Sequence, residues 1–123
     1  MQKPKILVVE DDAGLQEALA DTLMLAQYDV VLAANAEQAL QQLKNHKIRL
    51  VVSDVQMGAI SGLELLKSVK LNYPQLPVLM ITANSQQQLA VELKQQGYQV
   101  LYKPVRPLQL KTLLRHLLER KVI

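Results

Sequence analysis

The sequence predicts an α/β domain: a single doubly wound, five-stranded parallel sheet with five helices on its two faces. Three observations lead there. Strand-like apolar runs alternate strictly with helical patterns along the 123 residues. The runs Ile6–Val9, Leu50–Val52 and Val78–Ile81 are continuously apolar, as strands covered on both faces are. Polar residues then follow the strands at their carboxyl ends: Glu10-Asp11-Asp12, Asp54, Thr82 and Lys103-Pro104. Burying a strand asks for no such residues, since like charges repel and desolvation is costly. A parallel sheet would collect all four ends along one rim.

Each element has its own signal. After the first strand, Leu15, Ala18, Leu19, Leu23 and Ala26 follow helical spacing. Tyr28 to Ala33 reads as a short second strand. Asn35 can cap the second helix, whose inner face is Ala36, Ala39, Leu40 and Leu43. The third strand ends in Asp54, and Ser61 with Glu64 matches a capping box ahead of Leu63, Leu65, Leu66 and Val69. Beyond the fourth strand, Asn84 or Ser85 is expected to cap a helix containing Leu89, Ala90 and Leu93, with Gly97 as its terminator. Val100-Leu101-Tyr102 is the fifth strand. Pro107 suits the first turn of a last helix carrying Leu108, Leu110, Leu113, Leu114, Leu117 and Leu118. Right-handed crossovers then put helices on both faces. No linker, repeat or low-complexity tract interrupts residues 1–123, so one domain is expected.

Composition narrows the function classes. With no Phe or Trp, aliphatic residues and Met must fill the core. No stretch approaches the roughly 20 apolar residues of a membrane span, and Met1-Gln2-Lys3-Pro4-Lys5 leads straight into the first strand without a signal-peptide pattern. The absence of cysteine removes disulfides and thiolate metal sites and fits a cytoplasmic setting. Net charge is +3. From Lys94 onward the basic residues Lys94, Lys103, Arg106, Lys111, Arg115, Arg120 and Lys121 face Glu119 alone. A solvated helix face explains this most simply, and a docking surface for an acidic protein comes next. Nucleic acid comes last, because no aromatic residues interleave with the charge.

In open α/β sheets ligands bind outside the carboxyl ends of the strands. Carboxylates gathered there without thiol or imidazole suit a hard divalent cation, Mg²⁺ above all. His46 and His116 lie in helical patterns away from those ends and read as surface histidines. Acids, a hydroxyl and an amine around a metal suit phosphoryl chemistry: cation and ammonium neutralise phosphoryl oxygens while the hydroxyl donates to another. One carboxylate can then be the nucleophile. Asp54 is the better candidate, since it stands alone at its strand end while Glu10 and Asp11 can share the cation.

These residues resemble a family. Val8-Val9-Glu10-Asp11-Asp12, Val52-Ser53-Asp54-Val55-Gln56-Met57, Ile81-Thr82-Ala83 and Lys103-Pro104, in that order, are similar to the receiver domain of bacterial two-component response regulators, over about Lys5 to Leu118. The resemblance implies a flavodoxin-like (receiver) topology and phosphoryl transfer from a histidine kinase to Asp54. It implies Mg²⁺ bound by Asp11, by Glu10 through water, by Asp54 and by the backbone carbonyl of Gln56. Thr82 corresponds to the hydroxyl that moves onto the phosphoryl group, Ala83 to the small residue leaving room for it, and Lys103 to the amine, before a cis bond to Pro104. Asp12 is expected to start the first helix instead of binding metal. The output surface would be the fourth helix, fifth strand and fifth helix, with Lys94, Arg106, Lys111 and Arg115 favouring self-pairing or an acidic partner. A domain that modifies itself is not counted as an enzyme.

Departures from the pattern carry expectations too. Gly58 replaces a common proline, and with Gly62 it should loosen the loop after Asp54. Val100 stands where receivers carry the aromatic ring that turns inward. Tyr98, Val100 and Tyr102 share a strand face, so Tyr102 or Tyr98 could stand in for the missing ring; the expectation is that the phosphorylated state is read without the usual ring rotation. After the last helix the chain stops at Val122-Ile123, as expected of a stand-alone receiver or of one excised from a longer regulator or a hybrid kinase. Two rival classes fit less well. A flavodoxin-like cofactor binder would want a Ser/Thr/Gly phosphate loop where the three acids stand. An aspartyl hydrolase would commonly place a second acid where Gln56 is.

Overall fold

Side-chain alternation along buried strands decides which helix packs on which face. The computed structural model describes residues 3–56 and 62–119. Its strands are β1 (Lys5–Val9), β2 (Asp29–Ala33), β3 (Leu50–Asp54), β4 (Val78–Thr82) and β5 (Gln99–Tyr102). All pair in parallel, in the order β2-β1-β3-β4-β5. The helices are α1 (Ala13–Leu25), α2 (Ala36–Asn45), α3 (Gly62–Asn72), α4 (Gln87–Gln95) and α5 (Pro107–Glu119). One set of strand residues, with Ile6, Val8, Leu79 and Ile81 among them, packs with Leu19 and Leu23 of α1 and Leu110 and Leu114 of α5. The alternate set, including Leu7, Val9, Met80 and Val100, packs with α2, α3 and α4. Among the described residues no helix is long and apolar enough to cross a membrane.

Several local expectations hold. Asp12 caps α1, its carboxylate accepting from the Leu15 N–H at 3.0 Å. Asn35 caps α2 through Gln38 N–H at 2.8 Å. Gly97 closes α4 at φ 95°, with Tyr98 N–H reaching back to Leu93 O. The same pattern closes α1, where Tyr28 N–H reaches Leu23 O, but there the left-handed residue is Gln27, at φ 72°. The Lys103–Pro104 bond is cis.

Others are corrected. In α1 the buried residues are Leu19, Ala20 and Leu23, and Ala18 is exposed. Leu108 is 77% exposed because the α5 stripe runs through Leu110, Leu114 and Leu117. A residue two places before Leu110 lies about 200° around the helix. The position before α4 is Gln86, which makes no side-chain capping bond, so the expected cap position is displaced. A 3₁₀ turn over Asn84–Gln86 intervenes, and its Gln86 N–H to Ala83 O bond (2.9 Å) satisfies a donor that a side-chain cap would have taken. His46 is half-buried at the end of α2, with Lys5 Nζ 3.4 Å from its Nδ1. Gly58 and Ser61 lie outside the described residues. Gly62 is buried at the start of α3, against the backbone of Asp54.

Candidate functional site

Because every strand runs the same way, the residues that close β1, β3, β4 and β5 reach one rim. Glu10 follows β1 directly. Its N–H donates to Ala33 O at 3.0 Å, and Gln16 Nε2 donates to both Glu10 O and Ala33 O. That amide ties the ends of β1 and β2 together. It carries no chemistry of its own, and the sequence offered no sign of it. Glu10 is 2% exposed, Asp54 5% and Thr82 1%. Asp11, one step outward, is exposed, and its N–H donates to Glu10 Oε2 at 3.0 Å.

Lys103 spans the rim. Its N–H donates to Thr82 O at 2.8 Å, prolonging the β4–β5 ladder. Its ammonium then reaches back across the sheet to Asp54 Oδ2 at 2.6 Å and stands 3.7 Å from Glu10 Oε1. Asp54 Oδ1 accepts from Gln56 N–H at 3.0 Å. Both oxygens of Asp54 are thus held by donors, one neutral and one charged. Thr82 Oγ1 makes only a long contact of 3.5 Å, to the Ala83 carbonyl; Ala83 itself is half-buried.

The charges do not balance. Glu10 Oε1 is buried without a hydrogen-bond partner among the described residues. Desolvation, then the charge of Asp54, raises the Glu10 pKa from 4.5 to about 7, against the opposing pull of Lys103. Burial alone would lower the Lys103 pKa, but the hydrogen bond and charge of Asp54, joined by Glu10, outweigh it and raise it. Two buried carboxylates share one ammonium, and one oxygen of Glu10 is left without a hydrogen bond among the described residues. Oxygen donors in excess of positive charge fit a hard divalent cation. Among the described residues no three Asp, Glu, His or Cys side chains are already gathered as a metal cluster. Glu10 and Asp54 are brought together by Lys103, while Asp11 stays on the outer side.

Gly62 is the site residue whose role the sequence hid. A β-carbon there would stand 2.1 Å from the Asp54 carbonyl oxygen and 3.0 Å from both Asp54 C and Val55 Cα. Gly62 N–H also donates to Val55 O at 2.8 Å, so α3 begins directly against the end of β3. Its only outward signal was a glycine at a helix start eight places after Asp54. Of the expected output-face residues, Lys94 lies over the Tyr102 ring, 5.0 Å from its centroid. Arg115 is close enough to Tyr28 for its charge to act on the phenol.

Comparison with known proteins agrees with this geometry. The family model described as response regulator receiver domain matches residues 6–115. The response regulator protein FleR of Pseudomonas aeruginosa is 45% identical over 93 residues, covering 76% of this chain and 20% of that protein. The two-component response regulator ORR24 of Oryza sativa subsp. indica is 36% identical over 120 residues, covering 95% of this chain and 19% of that protein. This chain therefore spans about a fifth of the length of these relatives. Among solved structures, a putative response regulator from Chloroflexus aurantiacus superposes with a TM-score of 0.89 at 31% identity, over 96% of this chain and 99% of that one. The receiver domain of NtrX from Brucella abortus does so at 0.89 and 28%, over 94% and 99%.

Proposed function

The chain belongs to the response regulator receiver domain family, whose general role is to take a phosphoryl group from a kinase, and from that premise we propose that Asp54 is the residue that accepts it. The observation that carries this is the contact of 2.6 Å between Lys103 Nζ and Asp54 Oδ2. Glu10 also has a backbone N–H on one oxygen, but the ammonium stands 3.7 Å from its other oxygen, beyond hydrogen-bond reach; the short charged contact belongs to Asp54. The donor is a histidine kinase. An Asp54 oxygen attacks phosphorus in line while the bond to the donor imidazole nitrogen breaks, the electron pair staying on that nitrogen.

Receiver domains use Mg²⁺ at the phosphorylation site, and here Asp11, Glu10, Asp54 and the backbone carbonyl of Gln56 would hold it. When bound, the cation supplies positive charge opposite the phosphoryl oxygens. Lys103 neutralises a further oxygen and orients Asp54 before the reaction. The Thr82 hydroxyl, bound at 3.5 Å to Ala83 O, gives up little when it turns to the new dianion. The small side chain of Ala83 leaves room for that turn.

Thr82 pairs with Tyr102 across the β4–β5 register, so its movement bears on β5 and on α4 beside it. The face formed by α4, β5 and α5 is the output surface, biased between two arrangements. Lys94, Arg106 and Lys111, all exposed, favour an acidic protein partner or a second copy of the chain there. This segment does not read nucleic acid, and it turns over no external substrate: residues 1–123 act as one self-modified module. The cysteine-free composition supports a cytoplasmic place for it. Intact mass after incubation with acetyl phosphate and Mg²⁺ tests the assignment. The parent gains one phosphoryl group and Asp54→Asn gains none. Equal labelling of both would end it.

A further inference from the structure

The sheet has a second rim, and its chemistry is opposite. Parallel strands bring the residues that precede β1, β3 and β4 together at the amino ends, far from Asp54. The segment between α2 and β3 and the segment between α3 and β4 enclose a cavity of about 400 Å³ there. Its walls include Leu43, Ile48, Tyr73, Leu76 and Pro77. A neighbouring hollow is lined by Lys3, Lys5, Lys47, Arg49, Pro4 and Asp29, and the two share Lys47 and Arg49. Four cations thus surround one carboxylate. None of the four makes an ion pair among the described residues, where the two salt bridges both belong to Lys103.

The rim is also held in place. Arg49 N–H donates to Lys5 O at 2.9 Å, Asp29 N–H to Pro4 O at 3.0 Å and Val51 N–H to Pro77 O at 3.1 Å. Ile48 and Leu76 N–H groups are taken up within their own loops. With those backbone donors spent, recognition falls to side chains: cationic heads at the edge and an apolar hollow between. The Lys5 ammonium, turned towards His46 at 3.4 Å, adds charge at the cavity mouth.

We propose that this rim docks an acidic segment of a partner protein that inserts an apolar side chain into the cavity beneath Tyr73 and Ile48. Charge complementarity selects an anionic partner and draws it in at low salt. The apolar hollow selects a polypeptide, because a phosphate backbone would use the cations and leave the cavity wet. The inference is independent of which carboxylate is phosphorylated.

A random-peptide phage library panned on the full chain, and in parallel on Lys47→Glu/Arg49→Glu, tests it. Both substituted side chains are exposed, and labelling by acetyl phosphate should be unchanged in the double variant, which confirms its fold. Peptides enriched on the parent should carry a large apolar residue flanked by Glu and Asp, should lose binding as salt rises, and should bind the double variant at least tenfold more weakly. Enrichment of peptides without that pattern, equal retention by the double variant, or no enriched family overturns the proposal. So does a single-stranded oligonucleotide that displaces the peptides and itself responds to the same two substitutions, which would make the rim a nucleic-acid surface.

Discussion

Replacing Gly62 by Ala asks how tightly the phosphoacceptor is held from behind. The new β-carbon would meet the Asp54 carbonyl oxygen at 2.1 Å, where contacts under 3.0 Å are essentially never tolerated. The start of α3 and the end of β3 must separate by about 0.9 Å, and no rotamer change can help because the opposing atoms are backbone. Overpacking of this kind costs about 1–3 kcal/mol. Taken from the middle of that range, about 2 kcal/mol, a return of at most about 1 kcal/mol from the better helix propensity of Ala leaves a net loss of about 1–2 kcal/mol. For a chain of this size that lowers Tm by roughly 4–8 °C. Asp54 is displaced from Lys103 by a similar fraction of an ångström, and misplacement by about 1 Å can cost about a hundredfold in rate. Thermal unfolding followed by circular dichroism, with an intact-mass time course under acetyl phosphate and Mg²⁺, measures both effects. Gly14→Ala is the control: its β-carbon meets Asp12 Oδ1 at an ordinary 3.4 Å, so Tm should hold or rise. A Gly62→Ala variant within 1 °C of the parent and labelled within twofold of its rate would refute the reasoning.

Gln27→Gly should stabilise the chain by about 1 kcal/mol, raising Tm by roughly 4 °C, because Gln27 sits at φ 72°, a region that costs residues with a β-carbon; an unchanged or lower Tm in the same scan contradicts this. Glu10 should make the metal-free protein less stable as pH rises. Between its unfolded value of 4.5 and its folded value of about 7 the native state keeps a proton that the unfolded state has released, so stability is full below 4.5 and falls towards 7. The difference from Glu10→Gln in unfolding free energy, from urea titrations with EDTA, should reach at most about 3 kcal/mol, shrinking with Mg²⁺; parallel pH profiles for the two proteins would count against it. With beryllofluoride in place of a phosphoryl group, the Tyr98 and Tyr102 resonances of fluorotyrosine-labelled protein should stay near their starting positions. Val100 occupies the usual ring site, and Lys94 already covers Tyr102; a structure with either ring turned in behind Thr82 would sink the idea.

The layered sheet was legible in the sequence because β1, β3 and β4 are buried on both sides and show it as unbroken apolar runs. Their polar ends stood out for the same reason: nothing in a buried strand calls for Glu10 or Asp54. Periodicity told that α1 and α5 were helices but not how each was rotated, so Ala18 and Leu108 were grouped with the apolar positions although both are exposed, and Ala20 was missed. The entry to α4 misled because a 3₁₀ turn does the work of a capping side chain. Gly62 was read through its backbone freedom when what matters is the space it vacates for Asp54 O. That space depends on a helix and a strand meeting, which spacing along the chain does not reveal. The cationic rim escaped notice because Lys3 and Arg49 are neighbours only after folding.

Strands that all point the same way give the molecule an electrical axis. Glu10, Asp11 and Asp54 mark its negative pole and Lys3, Lys5, Lys47 and Arg49 its positive one, along the strand direction. The two rims thus offer a charged visitor opposite signs at opposite ends of the strands. Adding a phosphoryl dianion deepens one pole and leaves the other unchanged, so the same event that marks the domain also sharpens the orientation in which it meets its next neighbour.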